Sequence, residues 1–93
     1  MLTHVVCLKF TDPEDATEVA RRLSSMEGRI PSMKGIEVGL DVVRSARSYD
    51  LVLITRHDDM EGMQAYQVHP VHQEVLAFIK SKGPTAVAVD FAS

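Results

Sequence analysis

The chain has no tryptophan, a single cysteine, and only two tyrosines and three phenylalanines in 93 residues. The lone Cys7 cannot close an internal disulfide, which excludes a stapled secreted scaffold. Basic blocks are absent as well. Ten Lys and Arg are outnumbered by 13 Asp and Glu, for a formal net charge of −3, so a nucleic-acid partner has no electrostatic support. The longest purely apolar runs, 51–54 and 86–89, are strand-sized and far below the roughly 18 residues of a membrane span. The N-terminus shows neither a basic leader nor a long apolar core, so a cytoplasmic protein with no membrane partner is expected. A Gly-rich phosphate loop and a Gly-x-Ser-x-Gly elbow are both missing, which leaves nucleotide and serine-hydrolase readings without footing.

What is present describes one small globular domain over residues 1–93. Hydrophobic residues make up 45% and charged residues 25%, an ordinary soluble composition. Residues 3–10 form a strand in which His4, Val6, Leu8 and Phe10 alternate with Val5, Cys7 and Lys9. Both registers are largely apolar, so both faces need cover. Asp12 as N-cap and Pro13 at the first helical position open a helix. Its stripe is Ala16, Val19, Leu23, Met26 and Ile30, and Gly28 and Pro31 end it. Residues 34–44 read as a second strand, 44–48 as a polar turn and 49–55 as a third strand. Asp58 or Asp59 caps a second helical region carrying Met60, Met63 and Tyr66. Pro70 breaks or kinks it, and the pattern resumes through Val75, Leu76 and Ile79 to Gly83 and Pro84. Residues 85–91 are the last strand.

The order βαββαβ is that of a ferredoxin-like α+β fold, with right-handed crossovers placing both helices on one face of a four-stranded antiparallel sheet. The other face would leave Val5, Cys7, Val52 and Ile54 in water. A second copy of the same sheet, packed across a two-fold, is the expected cover. Cys7 is then a small interface hydrophobe.

Candidate chemistry centres on His4 and on Tyr66-Gln67-Val68-His69-Pro70-Val71-His72. Histidine titrates near neutrality and is the usual proton carrier. His4 shares the Val6 and Leu8 register and approaches the Pro70 kink if that register faces the helices. A structural reading stands beside this one: the histidines cap helix ends and bond carbonyls freed by Pro70. A third reading has His69, His72 and His4 chelate a metal, but structural zinc spacing is absent, and no metal is expected. His57 is read as a loop or cap residue. Asp41 and Asp50 are read as solvated residues flanking the middle hairpin, Arg44 and Arg47 as a solvated turn, and the methionines as core.

The segments His4-Val5-Val6-Cys7-Leu8-Lys9-Phe10, Tyr49-Asp50-Leu51-Val52-Leu53, Tyr66-x-x-His69-Pro70-x-His72 and Val89-Asp90-Phe91 resemble, in this order, the stress-responsive dimeric α+β barrel (Dabb) family. The resemblance implies a ferredoxin-like protomer and a homodimer formed by sheet-to-sheet packing. Most members of that family have no established activity, and one is a polyketide cyclase working without metal or organic cofactor. Its catalytic residues match Tyr66 and His72 by motif position, and its strand histidine matches His4. By resemblance, His72 is a general base, Tyr66 an oxyanion donor and His4 an orienting group, with no cofactor. His69, Val6, Leu8, Leu23 and Met63 are then expected to contact a small carbonyl-bearing substrate. Where that cyclase has aromatics, the first helix here offers Val19, Leu23 and Met26, which points away from a long polyketide. Zero tryptophan points away from the haem-degrading relatives.

Overall fold

The computed structural model describes all residues, 1–93. Its elements are β1 (Leu2–Lys9), α1 (Asp15–Ser24), β2 (Gly35–Leu40), β3 (Leu51–His57), α2 (Met60–Val68), α3 (Pro70–Ser81) and β4 (Thr85–Ala92). The strands form one antiparallel sheet in the order β2-β3-β1-β4, the ferredoxin-like arrangement the pattern predicts. None of the helices is long and apolar enough to cross a membrane.

Cross-strand partners share a face of the sheet. Pairing of His4 with Thr55 and Asp90, Val6 with Leu53 and Ala88, and Leu8 with Leu51 and Ala86 puts these side chains on the helix side. The core joins Leu8, Leu51 and Leu53 of the sheet to Val19 and Leu23 of α1, Tyr66 of α2 and Ile79 of α3. The opposite face carries Val5, Cys7, Val52, Ile54, Val87 and Val89. In the single chain Val89 is 64% exposed and Phe91 46%.

Local chemistry moves several boundaries. Asp12 does not cap α1. Its carboxylate accepts the Glu14 amide at 3.0 Å in a turn ahead of the helix, which starts at Asp15. Beyond Ser24 the ladder tightens to three-residue bonds, Met26 N–H to Leu23 O and Glu27 N–H to Ser24 O. Gly28, with φ 77°, then reverses the chain, a conformation that costs glycine little. Met26 and Ile30 stay buried although the helix ends before them. Asp59 is the cap of α2, its carboxylate accepting the Gly62 amide at 2.9 Å. Met60, expected in the core, is 51% exposed, because it begins that helix outside its buried stripe.

Asp50 is not solvated. It is buried, accepting the Phe10 amide at 2.7 Å and Arg44 Nη2 at 2.7 Å. The Phe10 bond first, and then Arg44, hold its carboxyl below the usual range. The middle turn is thus latched to the end of β1.

Candidate functional site

Proline at position 70 sets the site. In an unbroken helix the Tyr66 carbonyl would accept the amide of residue 70, and Gln67 that of Val71. Pro70 has no N–H, and His69 is forced extended, at φ −65° and ψ 138°. The Tyr66 and Gln67 carbonyls and the Val71 amide find other partners. The His69 amide donates to Tyr66 O at 3.2 Å, and the Val71 amide donates to His69 Nδ1 at 3.1 Å. Gln67 O accepts from His72 Nδ1 at 2.9 Å and from Gln73 Nε2 at 2.6 Å.

A carbonyl oxygen only accepts, so His72 carries its proton on Nδ1 and its lone pair on Nε2. Burial pushes its pKa down from 6.5, the Gln67 bond partly opposing this and His4 adding to it. His72 is therefore a neutral imidazole near neutral pH. Its ring centre lies 4.4 Å from that of Tyr66. Tyr66 is 0% exposed, and its buried hydroxyl has no hydrogen-bond partner in the protein. Burial pushes the phenol pKa up to about 12, keeping it a neutral donor.

Two further histidines flank Tyr66. On β1, His4 donates from Nδ1 to the Asp90 carboxylate across the β1–β4 pair, and its ring centre is 6.4 Å from Tyr66. His57, at the end of β3, is fully buried. Its Nδ1 donates to Ser32 O at 3.0 Å and its Nε2 bonds the Thr55 hydroxyl at 2.9 Å. Its ring centre lies 4.9 Å from that of Tyr66, and burial first of all lowers its pKa. The loop-or-cap expectation for His57 is thereby corrected: both ring nitrogens are spent inside the core.

His4, Tyr66 and His72 line one cavity of about 620 Å³ between the sheet and α3, together with Val6, Leu8 and Leu23. Two expected lining residues do not reach it. His69 is turned by Pro70 onto the Val71 amide, and Met63, one helical turn before Tyr66, is buried outside the cavity wall. No three His, Cys, Asp or Glu side chains converge as metal ligands, so the three-histidine metal reading lacks its geometry. A neutral imidazole with an available lone pair beside a neutral phenol is the base-and-donor pair that enolisation of a carbonyl compound requires.

The model of the Dabb family, the stress-responsive A/B barrel domain, matches residues 2–93. The chain belongs to the Dabb family. No functionally curated protein matches this Dabb chain. Among solved structures it is similar to a dimeric ferredoxin-like protein of unknown function from Thermobifida fusca, at 32% identity and TM-score 0.86, covering 99% of this chain and 90% of that one. A second dimeric ferredoxin-like protein of unknown function, from Bacteroides fragilis, matches at 20% identity and TM-score 0.83, covering 99% and 95%. A hydroxynitrile lyase from Passiflora edulis shares the fold at 11% identity and TM-score 0.80, covering 97% and 90%.

Asp90, which holds His4, and His57, which packs on Tyr66, were missed by sequence reasoning, as were Gln67, Gln73 and Lys80 of the cavity wall. Asp90 meets His4 only through the β1–β4 register, which pairs Leu2 with Ala92 and His4 with Asp90. His57, next to the Asp58-Asp59 cap, gave no signal.

Proposed function

We propose that this Dabb protein is a homodimer whose cavity binds a small carbonyl-bearing molecule and catalyses proton transfer on it without a cofactor. His72 Nε2 removes a proton from the carbon beside the carbonyl. The Tyr66 hydroxyl donates to the oxygen as negative charge builds there. His4, held by Asp90, orients the substrate or takes up the proton. The observation that carries this reading is the Tyr66 hydroxyl, a buried donor without a protein partner in the wall of a ligand-sized cavity. A lone donor of this kind costs about 1–3 kcal/mol of stability, a cost expected at a site built for a ligand oxygen. The volume also falls within the roughly 300–1,000 Å³ of small-molecule sites. The dimer reading rests on the apolar face of Val5, Ile54, Val87 and Val89 and on the dimeric relatives.

The test is the exchange of acetylacetone methylene hydrogens in deuterated water, followed by NMR. Saturable acceleration by the wild-type protein, lost in His72→Ala and Tyr66→Phe, is expected. Exchange at the buffer rate with the wild type refutes the enzymatic reading. That outcome supports the second reading, a non-catalytic assembly protein, which the complete engagement of His57 and the backbone bonds of His69 and His72 favour.

A further inference from the structure

Among the residues lining the cavity, Lys80 is the one carrying an unneutralised formal charge, since His72 is held neutral and no Asp or Glu lies on the wall. Other cations of the helical layer are paired: Arg21 and Arg22 with Glu18, and Lys82 with Asp15. Lys80 enters no ion pair. Its helix neighbours at three and four residues, Leu76, Ala77, Gly83 and Pro84, offer no carboxylate. The negative end of α3 would oppose an anion there, but the Ile79 and Lys80 carbonyls are already bonded by the Lys82 and Gly83 amides. Between Lys80 and the His72–Tyr66 pair the wall carries Val75, Leu76 and Ile79, with the Gln73 amide engaged by the Gln67 carbonyl. Eight residues along α3 separate Lys80 from His72, or about 12 Å at 1.5 Å per residue.

We infer that the ligand of this cavity is an anion: a medium-chain oxo acid whose carboxylate is held by Lys80 and whose carbonyl lies at His72 and Tyr66. The apolar stretch of wall takes the chain between the two ends. This inference rests on the cavity reading above and adds the substrate class. An ammonium gives a carboxylate a charge-assisted bond that a neutral hydroxyl end cannot match. Exposure of Lys80 to solvent reduces the preference to about tenfold.

Decanoate and decanol serve as probes, since they share a chain and differ in the charge of the head group. Titration calorimetry at low ionic strength is expected to give wild-type protein an affinity for decanoate about tenfold above that for decanol. Lys80→Met should remove the preference, chiefly by weakening decanoate binding, and Lys80→Glu should reverse it. Thermal unfolding checks that both variants fold, and Lys80 is exposed on a helix surface where methionine is well tolerated. Equal affinities in the wild type, or a preference that survives in Lys80→Met, overturn the inference while the cavity reading stands. Binding of neither probe also overturns the inference, and acetylacetone exchange decides the cavity reading separately.

Discussion

Replacing Tyr66 by phenylalanine removes one buried oxygen and nothing else. In most proteins that change is destabilising, because the hydroxyl is bonded. Here Tyr66 is 0% exposed and its hydroxyl is unpaired, so the folded state carries a desolvation penalty of about 1–3 kcal/mol that the variant lacks. Against this stands an oxygen-sized void, on the order of 0.5 kcal/mol at ~24 cal/mol per Å³. The penalty wins, and Tyr66→Phe is expected to be more stable by about 0.5–2.5 kcal/mol. In a chain of this length each kilocalorie moves Tm by roughly 4–8 °C. Urea unfolding, at matched protein concentration so that dimer formation does not enter the comparison, should show a higher midpoint at unchanged slope. The same variant should lose acceleration of acetylacetone exchange. A midpoint below that of the wild type would refute the reasoning, because the hydroxyl must then be bonded in the folded protein.

Four other perturbations separate structure from chemistry. His57→Ala strands the Ser32 carbonyl and the Thr55 hydroxyl and opens a void, so a loss of about 2–5 kcal/mol is expected by urea unfolding. His72→Ala should cost less than about 1 kcal/mol, because Gln73 still bonds the Gln67 carbonyl; a loss above about 2 kcal/mol would make His72 a structural anchor. The folded pKa values of His57 and His72 lie below 6.5, so the unfolded chain takes up protons first as pH falls. Their stability contribution is therefore complete above about pH 6.5 and is lost as pH drops through the folded values. Melting temperature should decline from neutral to mildly acidic pH, and a flat profile would contradict these shifts. Val89→Glu on the helix-free face should yield monomers by light scattering at micromolar concentration, whereas an unchanged dimer mass would place the interface elsewhere.

The fold was legible because hydrophobic period separates strands from helices, and both registers of β1 and β3 were visibly apolar. Strand and helix ends were less so. Met26 and Ile30 continue the stripe of α1 after its hydrogen-bond ladder has changed, so burial outruns helix. The resemblance to the Dabb family, and not local pattern, paired Tyr66 with His72; the bond that fixes His72 depends on Pro70, whose missing N–H frees the Gln67 carbonyl. The same proline turned His69 away, since an extended residue before proline points its ring at the following amide rather than inward. Asp90 and Asp50 depend on register and on a long-range latch, and neither follows from local pattern. His57 is a polar residue whose partners, Ser32 and Thr55, are assembled only by the tertiary fold.

The pairing of a neutral base with a neutral donor depends on which nitrogen of His72 holds the proton. Long-range proton–nitrogen NMR on histidine-labelled protein reports this directly. Proton on Nδ1, lone pair on Nε2 and a titration midpoint below 6.5, with the Nε2 resonance moving when acetylacetone is added, are the results expected. A proton on Nε2 near neutral pH, or a midpoint above 6.5, would remove the base from the cavity and contradict the account.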